Sequence, residues 1–380
     1  MKQKKVQFPS FLLIFIFLFV NVLEATVGPV LTGQPLWGIA KRTAETVDII
    51  ESKVCELDFD VSVLGETLCS KIDLIQISIT DFPCAPTEVS SADIMGGTIT
   101  ISSSGLYCLS EDVTANITIS GDCIALDLNK HCVTGVVSIS GDDVDLRGGN
   151  ITPPAPTSAP AAGITVTSAS DRARIENVVV VCADTATDGV AGRVGIQVNG
   201  NDAQIQNATV KSGAGESTGA TGTDSGNGIL VGASANNVII NKCIVSTGDG
   251  GDGTTTGGNG GHGISVESDA TETEVTDTTI LFTGNGGDGG TTNGDGGHGV
   301  NIASTAIDTV IRNCTIRNTG AAGAGGGSAG IAGRAITDAV TIVANSTMSY
   351  ANFAHNIANS VKYALQGLTT EQGVALANPP

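Results

Sequence analysis

Aromatic residues make up only 3% of the 380 residues, with a single Trp, and between positions 86 and 350 only Tyr107, Phe282 and Tyr350 occur. A surface this short of rings has few platforms on which sugars could stack. Charge is also scarce and one-sided: 15% of residues are charged, 18 basic against 38 acidic, for a formal net charge of −20. That excess excludes nucleic acid and anionic membrane surfaces as partners, and it repels polyanionic sugars unless metal ions bridge. The nine cysteines show no CxxC and no Cys/His ligand spacing, which excludes a zinc site. Beyond the N-terminal apolar run no segment is long enough to cross a bilayer.

What the chain has instead is glycine, 51 residues of it, and one phrase written six times. It reads GITVTSASDRARIENVVV, GIQVNGNDAQIQNATV, GILVGASANNVIINKCIV, GISVESDATETEVTDTTI, GVNIASTAIDTVIRNCTI and, more loosely, GIAGRAITDAVTIVANSTM. The phrases start at Gly163, Gly195, Gly228, Gly263, Gly299 and Gly330, at intervals of 31 to 36 residues. Such a period means units that bury their apolar faces only by stacking on one another. Apolar residues alternate in each phrase, as at Ile164 and Val166 or Ile196 and Val198, which is the two-residue period of a short strand with one buried face.

About ten residues later comes a second apolar position, and two residues past it stand Asn177, Asn207, Asn241, Asp277, Asn313 and Asn345. Short strands, a recurring turn residue and no helical pattern make each unit one coil of a parallel β-helix. In that geometry the Asn residues are expected at a left-handed corner, stacked as an inward-pointing amide ladder that Asp277 interrupts. The phrase GIxV…IxNxxI resembles the right-handed parallel β-helix repeat of the pectin-lyase-like superfamily. GLYCLSEDVTANITISGDCIALDLNKHCVTG, from Gly105 to Gly135, is similar to its opening coils, with Lys130 where that superfamily usually has Gly. The resemblance implies an all-β, single-stranded solenoid over 95–355; lyases, hydrolases, tailspikes and adhesins share it, so it does not choose an activity.

The chain begins with Lys2, Lys4 and Lys5 ahead of an apolar run from Phe11 to Leu23, and Ala25 follows. This pattern predicts a signal peptide over 1–25, hence a secreted or cell-surface protein with no membrane span after cleavage. Residues 26–46 read as a leader. From Val47 apolar residues recur as Val47, Ile50, Val54, Leu57, Val61, Leu64 and Leu68, a heptad pattern that continues after a stutter to Ile79. It predicts an N-terminal helical coiled-coil stalk over 47–80 that joins two or three chains; a single helix capping the solenoid is the alternative. Residues 81–94, with Pro83 and Pro86, are expected to be a linker, and 356–380 a C-terminal cap.

Candidate chemistry lies in two Gly-His-Gly triplets, 261–263 and 297–299. In the polygalacturonase branch of the superfamily such a triplet lies beside paired aspartates, and Asp142, Asp143 and Asp122 are the candidates here. Yet His262 and His298 are repeats of each other, no NTD triplet or Arg-x-Lys clamp follows, and the aspartates lie more than three coils before His262. For a lyase the basic candidates are Arg172, Arg174 and Arg193, with no acidic cluster facing them. The pattern therefore predicts no catalytic site; Asp142, Asp143 and His262 are the alternative, and any activity would be that of a polysaccharide lyase or glycoside hydrolase.

The insertions GDGGDGTTTGGNGGHG and GNGGDGGTTNGDGGHG read as flexible surface loops, the usual place for binding on a rigid scaffold. Their Asp249, Asp252, Asp288 and Asp295 are calcium candidates, although His stands where the calcium nonapeptide requires Asp. No other cofactor is expected. Sequons occur at Asn116, Asn150, Asn207, Asn313 and Asn345. Cys182, Cys243 and Cys314 are expected as small buried residues, while Cys108, Cys123 and Cys132 are close enough in sequence for disulfides. The expected role is binding or display of the adhesin or tailspike kind toward a glycan or host-surface ligand, with a polysaccharide-active enzyme or an inert surface component as alternatives.

Overall fold

A computed structural model describes residues 86–337, apart from 159, 186, 188 and 218, together with the backbone of the strands Thr341–Ala344, Thr347–Tyr350 and Thr370–Glu371. The signal, leader and heptad segments lie outside the described residues. Within them the chain is a parallel β-helix with no α-helix; a single 3-10 turn spans Ser91–Asp93.

The alternating phrase forms the first face. Ile164–Val166, Ile196–Val198, Ile229–Val231, Ile264–Val266 and Val300–Ile302 pair in parallel, residue on equivalent residue. Three earlier strands, Thr98–Ile101, Asn116–Ile119 and Val137–Ile139, extend this face to an eight-stranded sheet. The other two faces start as separate strands, Ile124–Asp127 and Cys132–Val133, and merge for two coils, where Asp145–Ile151 and Arg174–Val181 run unbroken through a corner. Later coils break there into two strands, as in Gln204–Gln206 and Thr209–Lys211.

Alternate side chains point inward and stack into aliphatic columns. Ile164, Ile196, Ile229, Ile264 and Val300 form one, and all are fully buried. Each such side chain contributes roughly 1.5–3 kcal/mol by leaving water. Cys182, Cys243 and Cys314 are buried as expected, and burial pushes the first thiol to about 12 and the others to about 11. The six cysteines among the described residues are all free, so no disulfide joins Cys108, Cys123 or Cys132.

Three sequence expectations shift. The sixth phrase starts at Ala335, because Val300 pairs with Ile336; the loose glycine at Gly330 belongs to the preceding loop. The solenoid begins before residue 95, inside the expected linker, since Thr87–Val89 pairs with Gly105–Leu109. In the expected cap, Thr370–Glu371 pairs with Thr347–Met348.

The corner residues are left-handed as expected, but the ladder differs. Gly148, Asn177, Asn207, Lys242, Asp277 and Asn313 take positive φ at equivalent positions, where Gly and Asn are least strained. Asn241 is not among them: Ile240 rather than Ile239 faces the core, so Lys242 occupies the corner. Asn177, Asn207, Asp277 and Asn313 are exposed rather than inward-pointing, because a left-handed residue between two inward positions aims its side chain at solvent. Asn345 lies outside the described residues. A second left-handed corner, which the repeat pattern had not revealed, runs through Cys123, Asp143, Arg172, Asp202, Asn237, Glu272 and Asp308.

Candidate ligand groove

Side-chain ladders do exist, but at other positions. Beside the second corner, Asp122 Oδ1 accepts the Asp142 N–H at 2.9 Å, and Asp142 Oδ1 accepts the Asp171 N–H at 2.8 Å. Asn201 continues the column by donating to Asp171, and its own Oδ1 accepts the Asn236 N–H. Asp143 is held by Arg172 through two bonds of 2.7 and 3.0 Å, and this pairing raises the guanidinium pKa. The aspartates considered for hydrolysis thus serve as rungs and an ion pair. Four rungs separate Asp142 from Thr271 on the coil of His262, about 19 Å at the strand spacing. An inverting pair needs roughly 6.5–9.5 Å, so the structure does not bring Asp142, Asp143 and His262 together.

The arginines weighed as lyase bases are occupied too. Arg174 pairs with Glu176 at 2.9 Å. Arg193 is buried, donating to the carbonyls of Ala161 and Pro154, and desolvation lowers its pKa.

The Gly-rich insertions are not flexible loops; they form a second ordered stack beside the solenoid. Each is closed at its base by one buried hydroxyl: Ser212, Thr247, Thr283 and Thr319 donate to the carbonyls of Gly226, Gly261, Gly297 and Gly333. The first three of these hydroxyls also accept N–H bonds from the next coil, at Gly248, Gly284 and Gly320. Glycine is needed where backbones meet. A Cβ on Gly258 would lie 2.0 Å from the Thr223 carbonyl oxygen, and one on Gly294 would lie 1.8 Å from that of Gly258.

Polar side chains cap this stack coil by coil. Asp249 Oδ1 accepts the Asn285 N–H, Asp252 Oδ1 that of Asp288, Asp288 Oδ1 that of Ala324, and Asp295 Oδ1 that of Ile331. The four calcium candidates therefore stand on three separate columns, each with an oxygen engaged. Among the described residues no group of three or more acidic, His or Cys side chains is arranged to hold a metal ion.

The two histidines belong to a fourth column. Asn227 Oδ1 accepts the His262 N–H at 3.0 Å, His262 Nδ1 that of His298 at 2.9 Å, and His298 Nδ1 that of Arg334 at 2.9 Å. The rings stack 4.9 Å apart and 10° from parallel. Accepting through Nδ1 requires neutral imidazoles. Desolvation lowers His262 to about 4, against the opposing pull of Asp224 and Asp295. It lowers His298 to about 3, helped by His262 and Arg334. These are structural acceptors, not acids or bases poised near neutrality.

Along the outside of the Gly-rich stack runs a trough of about 650 Å³. Its lining includes Thr221, Thr256 and Thr292, joined by parallel bridges and holding hydroxyls with no side-chain hydrogen bond. It also includes Asp224, Asn259 and Asp295, where each Oδ1 accepts the next coil's N–H and the second polar atom has no such bond. Gly222 and Gly257 line it as well. From Ala191 to Ile331 the trough crosses four rungs, about 19 Å at ~4.8 Å each. Its lining holds two carboxylates and no Lys or Arg. Sequence reasoning had placed binding on these loops without seeing the trough; equal offsets among Thr221, Thr256 and Thr292 and among Asp224, Asn259 and Asp295 were its available signal.

No family model matches this chain, and no curated protein does. Among solved structures, one described as pectate lyase Pel9A is similar with a TM-score of 0.34 and 12% identity, over 75% of this chain and 69% of that one. A Geobacillus virus E2 protein, ORF18, is similar with a TM-score of 0.28 and 11% identity, over 73% of this chain and 53% of that one. The strand pairing itself, rather than these likenesses, establishes the β-helix, and neither likeness speaks to activity. No helix among the described residues is long and apolar enough to cross a membrane.

Proposed function

We propose that this chain is an exported β-helix shaft that binds and displays rather than catalyses, in the manner of an adhesin or tailspike. The observation that carries this reading is the trough: a rigid, solvent-facing channel whose walls repeat unspent polar groups at one-rung intervals. Support also comes from the aspartates, arginines and histidines weighed for catalysis: Arg174 pairs with Glu176 in its own strand, and the others make bonds between coils. The signal pattern of 1–25 sends the chain to the cell surface or medium, and the heptads of 47–80 gather two or three chains into one stalk. No resident cofactor enters this role.

The test incubates the purified protein, from residue 26 onward, with a panel of plant, bacterial and host glycans. Bound protein and newly released reducing or unsaturated ends are both measured, and light scattering gives the oligomer. Binding without cleavage, by a dimer or trimer, is expected. Released ends that vanish in an Asp142→Asn, Asp143→Asn variant would make the chain a polysaccharide lyase or hydrolase. Neither binding nor cleavage would leave an inert surface component.

A further inference from the structure

We infer that the trough takes a linear amino-sugar chain with free amines, laid parallel to the solenoid axis; this rests on the binding role proposed above. Three features select that chemistry. The first is charge: Asp224 and Asp295 line the trough with no Lys or Arg in its lining, on a protein of net charge −20. A polyanion would be repelled, and a neutral chain would cover two carboxylates without neutralising either, at a desolvation cost. Ammonium groups on the ligand would instead form charge-assisted bonds to the carboxylate oxygens left over from the backbone ladder.

The second feature is spacing. Asp224 and Asp295 lie two rungs apart with neutral Asn259 between them, which places the carboxylates about 10 Å apart along the axis. A pyranose chain advances by close to one strand spacing per residue, so the two carboxylates meet the amines of two sugars flanking a third. The third feature is the threonine row, since the Thr221, Thr256 and Thr292 hydroxyls also line the trough and are free to give and accept bonds with sugar hydroxyls at the same interval. The absence of aromatic lining leaves polar contacts to supply the recognition.

The experiment measures binding of the full mature chain by calorimetry to four probes: a glucosamine hexamer, its fully N-acetylated form, a galacturonate hexamer and oligolysine of equal charge. Glucosamine hexamer alone is expected to bind, with an affinity that falls as salt is raised. Asp224→Asn with Asp295→Asn should weaken it about tenfold. The melting temperature should not change, because Asn keeps the Oδ1 acceptor, as Asn259 does natively. Thr256→Val should weaken binding of the glucosamine hexamer severalfold without lowering the melting temperature. Equal binding of the N-acetylated hexamer would overturn the amine assignment while leaving a binding role intact. Oligolysine binding as well as glucosamine would overturn the sugar assignment, and so would an unchanged affinity in the Asn variant. Failure of all four probes also overturns the inference, and the wider glycan panel then decides the binding role by itself.

Discussion

Acid should loosen the Gly-rich stack through its two histidines before it touches the aliphatic core. His262 and His298 accept backbone N–H bonds from the coils above them through unprotonated Nδ1 atoms. Their folded values, about 4 and about 3, lie below the ordinary 6.5, so the unfolded chain binds more protons between these limits. Stability from this pair is therefore complete above about pH 6.5 and is lost as pH falls toward the folded values. At pH 5, about 1.5 units under the ordinary imidazole value, holding each ring neutral costs about 2 kcal/mol, or ~4 kcal/mol for the pair before coupling. That pH stays above the ordinary carboxylate range, which separates the effect from the many acidic residues. Protonation would also set two cations 4.9 Å apart beside Arg334, opposed by Asp224 and Asp295 near His262. The comparison is His262→Asn with His298→Asn, since Asn227 already fills this column as a non-titrating acceptor. Urea unfolding at pH 7 and pH 5 should show wild type losing stability that the double variant keeps. Hydrogen exchange at the His298 and Arg334 amides should accelerate only in wild type. Equal losses in both proteins, or imidazoles titrating near 6.5 by NMR, would refute the reasoning.

Thr247→Val removes a buried hydroxyl that donates to Gly261 and accepts from Gly284, leaving these two groups only their direct backbone bond to each other; about 0.5–1.5 kcal/mol should be lost, with faster exchange at the Gly284 amide, and Thr247→Ser should restore most of it. Millimolar calcium is expected to leave the melting temperature unchanged, because Asp249, Asp252, Asp288 and Asp295 are spread over three columns; a rise of several degrees would contradict this. Asn207 and Asn313 are exposed corner residues with a hydroxyl two positions on, so a eukaryotic secretory host should attach glycans there, seen as an endoglycosidase-sensitive gel shift that is smaller in Asn207→Gln with Asn313→Gln than in wild type.

The strands, their faces and the repeat were legible because apolar alternation is a local signal: Ile164 and Val166 announce a strand without reference to any other coil. Positions fixed by neighbouring coils were harder. Ile239 and Ile240 are both apolar, so either could face the core, and the rungs at Ile205 and Val275 decide for Ile240 and move the corner from Asn241 to Lys242. Gly330 looked like a phrase start because glycine precedes most strands, whereas the register with Val300 selects Ile336 and puts Ala335 in that place. The Gly-rich insertions misled most. Glycine usually means freedom, but here it permits backbone contact between coils, and the hydroxyls that close each insertion lie fourteen residues from their acceptors. That the histidines repeat was legible in the sequence, and their acceptor role became visible only with the coil above in place.

The base-clip hydroxyls, the histidine column and the aliphatic columns all relate one coil to the next by the same offset, and none depends on how many coils there are. Excising 264–299 would join Gly263 to Val300, which already answers Ile264, the present neighbour of Gly263, across a rung. Arg334 would then meet His262 as it now meets His298. The length of this molecule is thus a quantity that recombination can edit in whole coils, whereas deletion of a single residue puts every column above it out of step.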